Sequence, residues 1–168
     1  MNCDTCGAKL KEQRETYHFV ECGLMNVYLE DWRMLVCSDC KIRMPYVPKA
    51  RPFMRMMTEV LVNQRKRLND DEILFLRKAM GLTAQGLADL IGVHRVEVSR
   101  WENERARIDA YHEFRLRMHA IDSVLEGEPR ATARENVTQL FGLTDVSKLS
   151  SAAQPIRLRP EQLQGAAA

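Results

Sequence analysis

Residues 83–103 read TAQGLADLIGVHRVEVSRWEN, and two short helical patterns with a glycine turn between them are written into that stretch. Thr83 is a good N-cap, Leu87, Leu90 and Ile91 recur at helical spacing, and Ala88 is small where a second helix must cross closely. Gly92 ends the first helix. His94 then caps a second one, in which Val98 and Trp101 face inward while Arg95, Val96, Glu97 and Arg100 are left outside. The outer face predicts a reading head for the DNA major groove, where a guanidinium fork reaches the acceptors of a guanine edge. Thr83, Gln85, His94, Arg95, Val96, Glu97, Arg100 and Asn103 form the candidate DNA-binding set. The bland alternative is two amphipathic helices of an ordinary bundle, with solvated arginines.

The flanks favour the first reading. Asp71 to Met80 predicts a preceding helix and Asp109 to Glu126 a following one, so the pair sits inside a four-helix unit. On these residues, EILFLRKAMGLTAQGLADLIGVHRVEVSRWEN from Glu72 onward resembles the Cro/repressor-type (XRE) DNA-binding domain over about residues 69 to 125. The resemblance implies a structural ion pair between Arg77 and Glu102. It departs at Glu104, where that family has glycine, which puts the turn leaving the recognition helix in question.

The N-terminal piece is organised by cysteines. Cys3-Asp-Thr-Cys6 and Cys37-Ser-Asp-Cys40 are two CxxC pairs with 30 residues between them. Each pair puts two thiolates on one tight turn, and two such turns complete a tetrahedral four-sulfur shell for one structural zinc. Gly7 suits the turn after the first pair, as Lys41 does not after the second. Disulfides, a redox CxxC and inert buried thiols compete with zinc; five cysteines with no secretion signal and no βαβ pattern favour the metal. Cys22 is the spare, a small core residue or a redox switch. Between the pairs, TYHFVE (16–21) and NVYLEDWRMLV (26–36) predict a short antiparallel sheet turning at Cys22-Gly23.

The expected fold is therefore mainly α: a small N-terminal zinc-binding α/β-type finger with a short antiparallel sheet, then a helix-turn-helix domain. The expected boundaries are 1–44 for the finger, 45–68 for a linker and connector helix, 69–142 for the helix-turn-helix domain with its C-terminal helices, and 143–168 for a flexible tail. A chain of 168 residues with 45% hydrophobic and 29% charged residues suits one or two globular domains. It shows no apolar span and no signal peptide, so a cytoplasmic protein is expected. The net charge of +2 is uneven, because eight basic residues from Lys41 to Arg67 face a single acid, Glu59. That makes the linker, with its Arg65-Lys66-Arg67 cluster, the expected phosphate-contacting footprint.

After the proline-rich MPYVPKARP (44–52), Pro52 opens a helix with Phe53, Met57, Val60 and Gln64 on one stripe and Met54, Leu61 and Leu68 on another. In the helix from Asp109, Tyr111, Phe114, Met118, Ile121 and Leu125 form the expected core stripe. A second row, Leu116, Ala120 and Val124, widens the apolar arc and suggests a partner helix. Gly127 and Pro129 are expected to stop that helix, and Thr132 to Glu135 to cap the last one. No nucleophile, HExxH or phosphate-loop pattern is present, so no enzyme is expected.

Finger and reading head together resemble the MqsA-like zinc-finger antitoxin family. The four cysteines, the CGLMNVYLEDW segment, EILFLRKAMGLT and VSRWEN carry that resemblance over about residues 1 to 125. It implies a structural zinc on Cys3, Cys6, Cys37 and Cys40, a finger able to bind a toxin partner, and a homodimer that represses its own operon from a palindromic operator. The base-reading arginine corresponds to Arg100, and Val96 stands where others have asparagine, so a different DNA sequence should be read. A freestanding transcription factor without a toxin, or a thiol/zinc redox sensor, are the alternatives.

Overall fold

The computed structural model describes residues 1–47 and 50–165. Pro48 and Lys49 of the expected linker and residues 166–168 of the expected tail lie outside that range. The chain forms two compact units, residues 1–53 with the segment from Gln154 onward, and Met54–Ala153.

The first unit is a sheet built on one long strand. Strand β1 (Leu10–His18) pairs antiparallel with β2 (Val27–Cys37). The opposite edge of β2 is shared: β3 (Arg43–Pro45) pairs antiparallel with Met34–Val36, and β4 (Ile156–Leu158) pairs parallel with Val27–Leu29. A bulge sets the inward face of β2. Two residues, Glu30 and Asp31, oppose Thr16 alone, and Asp31 takes the left-handed φ of 48°. The parity of buried residues shifts there, from Val27 and Leu29 to Trp32 and Met34. An unbroken alternation would have pointed Asp31 and Arg33 inward.

Two expectations fail in this unit. The first strand starts at Leu10 rather than near residue 16, and Val20–Cys22 form a 3-10 turn closed by Gly23. Its leading half, KEQRE, carries no apolar alternation because it lies at the sheet edge and is held by cross-strand charges, Glu12 with Arg33 at 2.5 Å, Arg14 with Asp31 at 3.0 Å, and Glu15 with Arg43. The expected flexible tail is the other failure. Ile156 and Leu158 are buried in the sheet, Arg157 and Arg159 both pair with Glu30, and a short helix follows at Pro160–Gly165. The alternation I-R-L is too short to stand out within a Ser, Ala, Gln and Pro background.

Helix α1 (Ala50–Asn63) leads into the second unit, with Pro52 in its first turn where a missing N–H is harmless. It buries Met56, Met57, Thr58, Leu61 and Val62. Helix α2 (Asp70–Ala79) starts on a capping box of Asn69 and Glu72. Helices α3 (Ala84–Ile91) and α4 (Arg95–Trp101) follow, then α5 (Ala110–Val124) from an Asp109 cap and α6 (Gly127–Leu143). Gly127 and Pro129 do not stop α5, which ends at Val124 with Leu125 as its cap, and instead open α6, leaving Thr132 exposed inside that helix. Pro129 is tolerated there because first-turn amides have no intrahelical acceptor.

The buried row of α5 is Glu113, Leu116, Arg117, Ala120 and Ile121, whereas Tyr111 is 62% exposed. The helix is thus turned from the expected stripe, because two charged residues lie on its inner face. Arg117 is fully buried and donates to Glu113 Oε1 at 2.8 Å and to the carbonyls of Val62, Gln64 and Lys66 at 2.8, 3.0 and 2.5 Å. Glu113 also accepts from Arg67 at 2.5 Å and from the Leu68 amide at 3.1 Å. Beside them, Lys66 is held by Glu72 at 2.5 Å. Lys66 and Arg67, expected on phosphates, are therefore internal. The pattern RKR gave no sign of this because the acids answering it are 6 and 46 residues away.

The turn leaving α4 keeps its path despite lacking glycine. Glu104 adopts a φ of 54°, and the amides of Arg105 and Ala106 both return to the Arg100 carbonyl. Left-handed backbone costs a non-glycine residue ~1 kcal/mol, so Glu104→Gly should stabilise the protein by about that amount in denaturant titrations. Arg117→Met should act oppositely and far more strongly. It strips one partner from a buried pair and leaves three carbonyls unanswered, for which ~3 to 5 kcal/mol is expected, read from the unfolding midpoint of Trp101 emission. A loss under ~1 kcal/mol would show that the network contributes little.

Candidate metal centre and nucleic-acid interface

The four paired cysteines converge, with all their sulfurs within 4.8 Å of one another. Cys3 and Cys40 Sγ are 3.5 Å apart, Cys6 and Cys37 Sγ 3.4 Å, and every cysteine is free. These two separations lie just under the edge of ~3.8 Å that a tetrahedron of 2.3 Å metal–sulfur bonds requires. The turn after each pair has the same handedness, with Gly7 at a φ of 75° and Lys41 at 62°. Lys41, unexpected in this conformation, is tied down by its ammonium on the Ser38 carbonyl at 2.6 Å.

Backbone amides complete the chemistry of the site. Those of Cys6 and Thr5 aim at the Cys3 sulfur and lower its thiol to about 6. The Cys40 amide also lowers Cys37, against burial and with help from the Asp39 amide. Cys6 and Cys40 each receive one amide, from Ala8 and Ile42, yet burial and the neighbouring sulfurs push both up, Cys40 to about 12. Two sulfurs are pulled toward the thiolate and two away from it, because the four crowd together and share hydrogen bonds. A divalent cation removes that conflict by holding all four as thiolates, so the donor set fits a metal ion. Cys22 stands apart, its thiol donating to the Phe19 carbonyl at 3.2 Å and pushed up by burial, which makes it a poor nucleophile.

The reading head has the expected geometry. The Thr83 hydroxyl accepts from Gly86 N at 3.0 Å, Gly92 closes α3 at a φ of 76°, and His94 Nδ1 accepts from Val96 N at 3.4 Å. Val98 and Trp101 are buried. Arg95, Val96, Ser99 and Arg100 are exposed along the opposite side of α4, as are Gln85 on α3 and Asn103 beyond α4. Arg77 grips Glu102 through two bonds of 2.5 and 3.1 Å and donates a third to the Leu82 carbonyl at 2.8 Å, fixing α2 against the end of α4. Three outer side chains rest on local partners: Arg100 on Glu97 at 2.9 Å, Asn103 on the Ser99 carbonyl at 2.6 Å and Gln85 on Asp89 at 2.7 Å. Such exposed pairs are worth ~0 to 1 kcal/mol, so each yields readily to a better partner.

The residues missed from sequence are the free cations beside α4. Arg105 and Arg107 are exposed, and among the described residues neither is held in an ion pair, unlike Arg55 on Glu126 or Arg67 on Glu113. Their signal was ERAR directly after the WEN that ends the recognition stretch, but the larger basic count upstream overshadowed it. Among the described residues, no helix is long and apolar enough to cross a membrane.

No curated protein and no solved structure matches the chain. The helix-turn-helix family HTH_3 matches residues 73–111, the segment from the first turn of α2 to the first turn of α5, so this stretch of the helical unit is similar to a helix-turn-helix module.

Proposed function

We propose that the protein is a sequence-specific transcriptional regulator of the antitoxin type, a repressor of its own operon, with one structural zinc on Cys3, Cys6, Cys37 and Cys40 and no catalytic role. The observation that carries this reading is the outer face of α4, where Arg95, Val96, Ser99 and Arg100 are exposed above a buried Val98–Trp101 floor. Arg100 reads a base edge, Val96 offers a thymine methyl an apolar contact, and Arg95, Arg105 and Arg107 take phosphates. The protein acts as a homodimer on a palindrome. Leu116 and Ala120, expected to face a partner helix, pack inside the unit, so support for the dimer comes from the two half-sites such modules read and from exposed Leu90, Tyr111 and Leu143. The toxin partner rests on the finger and reading head occurring together; a neighbouring gene for a small toxin that copurifies would support it, and its absence would favour a freestanding regulator. The cytoplasm is the compartment this reading requires.

Two experiments test it. Selection from a random duplex library should yield a palindrome bound by two chains, with half-sites about one helical turn, or a multiple, apart. On that duplex Arg100→Ala should lose ~1 to 3 kcal/mol while binding to scrambled DNA barely changes. Replacing Arg105 and Arg107 together by Ala should weaken both duplexes and flatten the salt dependence by about two in log–log slope. Equal losses for Arg100→Ala on both duplexes would mean that α4 does not read bases. For the metal, the two tryptophans divide the labour, Trp32 reporting the first unit and Trp101 the second. Purified protein should carry about one zinc per chain, and chelation or Cys37→Ser should shift Trp32 emission while Trp101 stays buried. Zinc well below one per chain would overturn the assignment.

A further inference from the structure

The turn between α3 and α4 is three residues long, Gly92-Val93-His94, and it leaves carbonyls unanswered. The amides of Gly92 and Val93 both return to Ala88 O, at 2.9 and 3.0 Å, so the turn itself supplies no donor to the last carbonyls of α3. A residue from outside the motif answers them. Arg115 of α5 donates through Nη1 to Ile91 O at 2.7 Å and through Nη2 to Leu90 O at 2.9 Å. Its guanidinium carbon lies 5.8 Å from the Tyr111 ring centre, and a Cβ placed on Gly92 would meet Nη1 at 3.4 Å. The fork therefore fills the concave side of the turn. One turn earlier on α5, His112 lies 5.8 Å from Trp101 at the end of α4. The start of α5 thus touches both helices of the reading head.

From this geometry we infer that Arg115 is a positioning residue for sequence readout: by capping α3 it fixes the direction in which α4 leaves the turn, and so the point at which Arg100 meets a base edge. This rests on the DNA-binding reading above and deepens it. A base contact needs a fork aligned with two acceptors, whereas phosphate contacts tolerate small rotations of the helix. Losing the cap should therefore cost discrimination before it costs general affinity. Two adjacent carbonyls call for two donors in one plane, so lysine, with the same charge as a single point, is an incomplete substitute.

The test uses the full-length zinc-loaded protein with Arg115→Lys and Arg115→Met, on the duplex selected by the wild type and on its scrambled form, well below the unfolding temperature. Arg115→Met should lose about tenfold or more on the selected duplex and less than twofold on the scrambled one. Arg115→Lys should match wild type on scrambled DNA and recover the selected site only in part. Hydrogen exchange of the Val93 to Val96 amides should quicken in both variants, a readout that remains interpretable if Arg115→Met is also less stable. Equal losses on the two duplexes, or unchanged discrimination with quickened exchange, would overturn the inference. A wild-type protein that selects no sequence would instead defeat the DNA-binding reading itself.

Discussion

Everything in the helical unit depends on a charge that has no access to water. Burying a guanidinium is costly unless each of its donors is answered, and Arg117 answers the requirement with Glu113 and three main-chain carbonyls, Val62 in the last turn of α1 and Gln64 and Lys66 just beyond it. Burial outweighs the pairing, holding the guanidinium below its usual range while Glu113 pulls it upward. Because carbonyls have fixed positions on the chain, the network specifies a path as well as a contact. The stretch from Val62 to Lys66 can lie only where those oxygens meet the fork. Glu113 in turn binds the Leu68 amide and Arg67, which places the cap of α2 at Asn69, and α2 carries the Arg77 that fixes the end of α4. A chain of directional bonds thus runs from a buried charge to the recognition helix.

This explains what could be read from sequence and what could not. Local signals survived into the structure: the Thr83 and His94 caps, the Gly92 stop, the inward Val98 and Trp101 and the two CxxC turns all depend on residues within a few positions of one another. Readings of charge and periodicity went astray where a distant partner marked by no motif decides the outcome, unlike Arg77 with Glu102 or the paired cysteines. Arg65-Lys66-Arg67 looks like a phosphate grip until Glu72 and Glu113 are brought to it. The phase of α5 was misjudged for the same reason, since periodicity assigns Glu113 and Arg117 to water and only tertiary pairing turns them inward. The C-terminal strand was invisible because three residues without a neighbour have no strand character, and β2 supplies that neighbour from more than a hundred residues away.

The two units solve the problem of small size differently. The sheet of the first unit buries few residues, and it is closed at both ends of β2: the cysteine pairs converge at Cys37, and the returning β4 covers the edge at Val27–Leu29. A small core gains from such closures because each removes freedom from the unfolded chain. In the helical unit the charge network takes that role. A helix of seven residues cannot hold its own orientation, and the outer side of α4 faces solvent, so only its inner face and its ends remain for support. Val98 and Trp101 occupy the first, and Arg77 and Arg115 hold the α2–α4 and α3–turn junctions. Arginine recurs at both junctions for one reason. A helix end offers carbonyls or carboxylates in adjacent pairs, and a planar fork satisfies two of them at once with little loss of side-chain freedom.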